Sequence, residues 1–153
     1  MDAVGCWIRL SRSLSHDHSQ RDIPDKLYRI LRPDEDPNAI VAKNPNADKT
    51  VLSHVNCGSR RGYQSQYIST SASLDVAREY RNKAQEQGQA GLRIAEFDTN
   101  ALQQQGCQFF DLTTDAGRDA HLGRAVMAKN FARKSQEIVL KCDSPISGTV
   151  IEG

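Results

Sequence analysis

The 153-residue chain sets 20 Lys and Arg against 19 Asp and Glu, a formal charge of +1, so its net charge encodes neither a nucleic-acid-seeking nor a membrane-seeking surface. At 38% hydrophobic and 25% charged residues it is too apolar for a disordered chain, and its length suits one domain around a single core. No apolar run approaches the roughly 18 residues of a membrane-spanning helix.

Residues 1–22, MDAVGCWIRLSRSLSHDHSQRD, are rich in Ser, His and Arg and lack the basic start and long apolar stretch of a secretory signal. They read as a flexible polar leader to a folded unit at 23–153. KLYRILR (26–32) alternates apolar and polar residues, with Leu27, Arg29 and Leu31 on one face, and predicts a strand stopped by Pro33. Pro, Asp and Asn crowd 33–49, a loop. VLSHVNCGSRRGYQSQ is ambiguous, with one helical turn before Gly58. QYIST (66–70) predicts a short strand. In SASLDVAREYRNKAQEQG a Ser cap, an Asp in the first turn and Leu74, Ala77, Tyr80 and Ala84 at helical spacing predict an amphipathic helix ending near Gly88. GLRIAEFDT (91–99) is a strand, NALQQQG a short helical turn and CQFFDLT another strand. GRAVMAKNFARK (123–134) predicts a helix with Ala125, Val126, Ala128 and Phe131 toward its buried side. QEIVLKC and GTVIE close the chain as strands. Several short strands with few intervening helices indicate α+β.

The cysteines stand at 6, 57, 107 and 142, never as C-x-x-C. That scatter predicts free thiols in a reducing compartment rather than a zinc site or a disulfide framework. His54 lies three residues before Cys57, a spacing open to a Cys–His pair, but nothing else in the sequence supports one.

YISTSAS (67–73) runs from strand residues straight into three hydroxyls. A turn and helix cap would explain them; so would hydroxyls that hold a sugar or a catalytic carboxylate. Two other residues bear on the choice. Arg29 sits inside an apolar strand, where a guanidinium is costly unless it faces a cleft or an anion. Glu137 opens a late strand after the polar loop ARKSQ. In order, LYR ending at Arg29, YISTS at 67–71 and SQEIVL carrying Glu137 resemble the ADP-ribosyltransferase family, in its cholera-toxin-like subgroup marked by Arg, then aromatic-x-Ser-Thr-Ser, then Glu. The resemblance spans about residues 26–145.

The resemblance implies two packed, mainly antiparallel sheets with flanking helices around a cleft that binds NAD in a bent shape. It implies that Arg29 contacts the NAD phosphate or adjoining ribose and that the Ile30 backbone meets the nicotinamide amide. Ser69 would orient Glu137, Thr70 and Ser71 would shape the strand end, and Tyr67 would support the core or stack on nicotinamide, with Tyr63 a second stacking candidate. Glu137 would hold the 2′-hydroxyl of the nicotinamide ribose and stabilise the oxocarbenium-like state. No metal is implied. The implied function is mono-ADP-ribosyl transfer from NAD to a protein acceptor, with nicotinamide released. A toxin-type NAD glycohydrolase and a catalytically silent binding module are the alternatives.

The sequence departs from the family's pattern at the acceptor position. Many relatives carry Glu or Gln two residues before the catalytic Glu; here that residue is Ser135, with Gln136 between. An acidic side chain is what would draw an arginine acceptor, so Ser135 points to a non-arginine acceptor such as a hydroxyl, with Gln136 able to substitute if the loop register differs. Phe131 and Arg133 are further acceptor contacts to weigh, against a helix-core reading of Phe131. His54, a lone histidine in the variable segment, reads as structural and outside the catalytic set. Near-zero net charge disfavours a nucleic-acid acceptor. The expected protein is a monomer without a membrane partner, in the cytoplasm or secreted and translocated into a host cytosol as an effector.

Overall fold

The computed structural model describes residues 23–153, so the leader at 1–22 lies outside the described residues. The strands are β1 (Lys26–Leu31), β2 (Ile68–Ser71), β3 (Arg93–Asp98), β4 (Gln108–Asp111), β5 (Glu137–Lys141) and β6 (Thr149–Glu152). The helices are α1 (Val51–Cys57), α2 (Leu74–Glu86), α3 (Thr99–Gln104), α4 (Asp115–Leu122) and α5 (Val126–Ser135). The chain is α+β and every strand pairing is antiparallel.

The strands form one six-stranded sheet in the order β4-β5-β2-β1-β3-β6, where two packed sheets were expected. The correction has a local cause. β1 and β2 share a single register pair, Tyr28↔Ser71, and that pair makes the ladder continuous. On one side lie β2, β5 and β4, tied over four residues each; on the other lie β1, β3 and β6. The two halves therefore meet at a narrow seam, and the cleft described below opens there.

Strand alternation divides the core. Ile138 and Leu140 of β5 join Leu27, Leu31, Ile68 and Phe97 in one cluster, whereas Val139 joins Val51, Leu112, Leu122, Ala128 and Ala132 under α1, α4 and α5. β5 is thus covered on both faces over Ile138–Leu140, which is why IVL reads as an unbroken apolar run between Glu137 and the exposed Lys141. By the same period of two, Glu137 shares the helix-covered face with Val139, and Tyr67, Ser69 and Ser71 share it across β2.

Hydroxyl and carboxylate caps set the starts of α1 to α4, whereas α5 starts after Ala125 with no side-chain cap. Thr50 accepts from Ser53 N–H, Ser73 from Val76 N–H, Asp98 from Asn100 N–H and Thr114 from Gly117 N–H. The helix starting point of the Ser-Thr-Ser stretch is therefore Ser73, beyond the three hydroxyls.

The structure adds one helix that the sequence reading left unassigned and changes two further expectations. Asp115–Leu122, without a strong apolar stripe, is a helix; Gly117 lets it lie against the Asp111 carbonyl, which any Cβ there would strike. α5 buries Ala128, Ala132 and Ser135, a stripe at i, i+4 and i+7, and leaves Val126 67% and Phe131 50% exposed. Finally, Cys107 and Cys142 are joined in a disulfide rather than free. They flank the first β4–β5 pair, Gln108↔Lys141, so antiparallel register brings their Cα atoms to 4.3 Å despite 35 residues of separation. Cys57 is the free thiol among the described residues.

Candidate active site

A cleft of about 440 Å³ opens at the seam, within the roughly 300–1,000 Å³ range of small-molecule sites. Arg29, Ile30, Tyr67, Ser69, Thr70, Ser71, Ser135 and Glu137 all line it. Residues 40 and 68 positions apart thus converge, through β1, β2 and the start of β5.

Glu137 follows a sharp reversal. Gln136 ends α5 in the left-handed conformation, φ 50° and ψ 49°, and the next residue is already β-strand, paired with Ser71. That turn delivers the carboxylate into the cleft floor at 4% exposure. Ser69 Oγ donates to Oε1 at 3.2 Å and Ser135 Oγ lies 3.4 Å from Oε2. Burial drives the Glu137 pKa up to about 7, and the two hydroxyls only partly offset it. A carboxyl poised near neutrality in a cleft is a mark of a functional position.

The three hydroxyls of the opening motif divide their work. Ser69 serves the carboxylate. Thr70 is buried and donates to the Ile138 carbonyl at 2.7 Å, fastening β2 to β5. Ser71 donates to the Ser135 carbonyl at 2.8 Å and accepts from Ser73 N–H, closing the turn into α2 and holding the end of α5. Tyr67 packs edge-on to His54 and Phe110, with ring centroids 5.5 and 5.6 Å away. Burial raises its phenol pKa, and the Asp48 charge adds to this.

Sequence reasoning left out His54, and the structure puts it next to the carboxylate. α1 buries it between Ser65 and Ser69: Nδ1 lies 2.7 Å from Ser65 Oγ and Nε2 lies 2.7 Å from Ser69 Oγ. Both ring nitrogens are occupied by serines, so no Cys57–His54 pair forms. Burial first, and then the positive fields of Arg29 and Lys43, push its pKa down to about 4, so the ring is neutral near pH 7. With Glu137 ionised, Ser69 must donate to it and accept from His54 Nε2–H. Nδ1 then accepts from the Ser65 hydroxyl, which itself accepts from Tyr67 N–H at 3.3 Å. Every donor in this chain points toward Glu137.

Arg29 meets an anion of its own chain. Nε and Nη2 hold the two oxygens of Glu35 at 3.2 and 3.3 Å, and Nη1 donates to the Ser69 carbonyl at 2.9 Å across the seam. Glu35 is a second residue the sequence reading missed; its side chain is 6% exposed and also accepts from Arg32 N–H. Ser135 is buried, and its hydroxyl reaches the Phe131 carbonyl at 2.9 Å as well as Glu137. Gln136 turns its amide back onto the Arg133 carbonyl at 2.8 Å and does not line the cleft. Phe131 stacks parallel to Tyr80, interplanar angle 2°, and both line the mouth. Arg133 bonds to Asn130 on its own helix, and Tyr63 lines the cleft with its hydroxyl 2.6 Å from Ser53 Oγ.

No helix among the described residues is long and apolar enough to cross a membrane. No model of a known protein family matches the chain, and no curated protein matches it.

Proposed function

We propose that the protein is a mono-ADP-ribosyltransferase that cleaves NAD and passes ADP-ribose to a protein side chain, releasing nicotinamide. The observation that carries this reading is the buried Glu137 carboxylate, held by Ser69 in the same cleft as Arg29. Those are the three residues on which the family resemblance rests.

The chemistry asks for little else. Nicotinamide leaves NAD as a neutral ring, so no strong general acid is required; developing positive charge at the ribose C1′ must be balanced by a fixed anion. In this reading Glu137 supplies that anion and accepts the ribose 2′-hydroxyl proton as a hydrogen bond. The cationic nicotinamide ring next to it draws the Glu137 pKa down on binding, so the complex carries the charged form. Ser69 keeps the carboxylate from rotating, and Ile30 offers its backbone to the nicotinamide amide. Bond cleavage separates C1′ from the ring nitrogen with both electrons going to nicotinamide, and the acceptor oxygen then attacks C1′ and gives up its proton to solvent water.

A non-arginine acceptor is favoured by the charges around the cleft. Glu137 is the one acidic residue among the cleft-lining residues, against Arg29, Arg32 and Lys43. A guanidinium acceptor would meet the Lys43 ammonium and two arginines already paired with Glu35 and Asp34, and no second carboxylate lines the cleft to receive it. Incubation of the full chain with labelled NAD and a cell extract is the test. A discrete labelled protein band, mapped to a hydroxyl side chain by mass spectrometry, is expected. Nicotinamide release without any labelled band would replace the transferase reading by NAD hydrolysis, and abundant arginine modification would overturn the acceptor class.

A further inference from the structure

We propose that Lys43 is the anion-binding group of the cleft and takes the diphosphate of the dinucleotide, while Arg29 acts as a strut that keeps only neutral contacts for the ligand. The proposal rests on the NAD reading of the site and refines it.

The cleft-lining cations differ in what they already hold. Arg29 has its Nε–Nη2 edge on Glu35 and one Nη1 hydrogen on the Ser69 carbonyl. By donor count it keeps two N–H groups, one on each terminal nitrogen. Arg32 places Nη1 on the same Glu35 carboxylate and Nε on Asp34, both at 3.3 Å. Two guanidinium charges are thus met by two carboxylates, and neither arginine offers an uncompensated charge. Lys43 lines the same cleft, is solvent-exposed, and makes no ion pair among the described residues.

Position agrees with charge. Lys43 lies on the loop after Ile40, whose backbone is pinned to Ile146 by two hydrogen bonds, so the lysine's base is fixed though its ammonium is free. Its field also reaches His54 at the cleft floor. Glu137 is buried at that floor and Lys43 stands at the mouth. A dinucleotide matches this polarity: the C1′ that develops positive charge and the diphosphate on C5′ belong to opposite sides of one ribose. An ammonium is a compact point charge that follows a flexible diphosphate without needing one fixed geometry. The two free N–H groups of Arg29 suit a ribose oxygen instead.

The experiment compares wild type, Lys43→Met and Lys43→Arg in calorimetric titrations with NAD, ADP and adenosine at low and high salt. Lys43 is exposed and holds no hydrogen bond, so both variants should fold as wild type. Lys43→Met is expected to weaken NAD and ADP about tenfold or more, to leave adenosine unchanged, and to flatten the salt dependence; Lys43→Arg should keep wild-type affinity within a few-fold. NAD and ADP binding unaltered in Lys43→Met would overturn the assignment and leave the NAD reading standing. Lys43-dependent ADP binding by a chain that neither binds nor cleaves NAD would overturn that reading and keep the anion site. Wild type that binds neither nucleotide would overturn both.

Discussion

Glu137 is costly to keep ionised, and the cost has a sign that can be followed with pH. Below the ordinary value of 4.5 both the folded and unfolded chains hold its proton, and burial penalises nothing. Above about 7 both have released it, and the folded state bears the whole desolvation cost. Stability at this position therefore falls as pH rises from 4.5 to 7. Glu137→Gln, which keeps the shape and removes the charge, should melt progressively higher than wild type across that window and by a constant margin above it. His54 works the other way: with its pKa pushed from 6.5 down to about 4, it destabilises the fold as pH falls through that interval. In activity, kcat/KM for NAD should drop about tenfold per pH unit below 7, because only the ionised carboxylate is productive.

His54 earns a separate test because it touches Glu137 only through Ser69. His54→Gln should lower kcat for nicotinamide release by about tenfold, the worth of one orienting hydrogen bond, with little change in KM. Equal loss in both parameters would make the residue merely structural. For Arg29, the partner within the chain changes what a deletion means. Arg29→Ala leaves a nearly buried Glu35 with the more exposed Arg32 as its remaining counter-ion and should cost about 2 kcal/mol of stability in denaturant titration. Arg29→Ala combined with Glu35→Ala should recover much of that loss. A double variant no more stable than the single one would show that the pair is not coupled.

At the scale of elements, the α5–β5 junction makes the site. The left-handed Gln136 turns the chain through the one step that converts a helix end into a strand start. The strands were legible in the sequence because alternation and the apolar EIVL run are local signals. The helix faces were less so. In α5 the buried stripe consists of small residues, Ala128, Ala132 and Ser135, and an apolarity count favours the larger Val126 and Phe131, which the fold leaves outside. Phe131→Ala should accordingly cost no more than about 1 kcal/mol in a denaturation experiment, where a helix-core phenylalanine would cost about 3–5. His54 and Glu35 were missed for a related reason. Their importance lies in partners 15 and 6 residues away, reached by the packing of α1 and the folding back of the 33–36 loop, and no periodic pattern carries that.

Across the whole molecule, the ordered motif Arg29, Ser69 and Glu137 was readable in sequence, and the convergence of these residues on one cleft accords with it. The sheet arrangement was not, since one pair, Tyr28↔Ser71, decides between one sheet and two. Nor was the Cys107–Cys142 bond, because strand register rather than spacing brings those positions together. What joins all scales is the seam: it parts the strands, lets Arg29 reach the Ser69 carbonyl and opens the space above Glu137. The most direct measurement is nicotinamide released from NAD at pH 8 by the full-length wild type and by Glu137→Gln, both shown to be folded. Release by wild type, reduced about a hundred- to a thousandfold in the variant with the cleft still binding NAD, is the expected result. Equal rates in the two proteins, or no release by folded wild type even with a cell extract present, would contradict it.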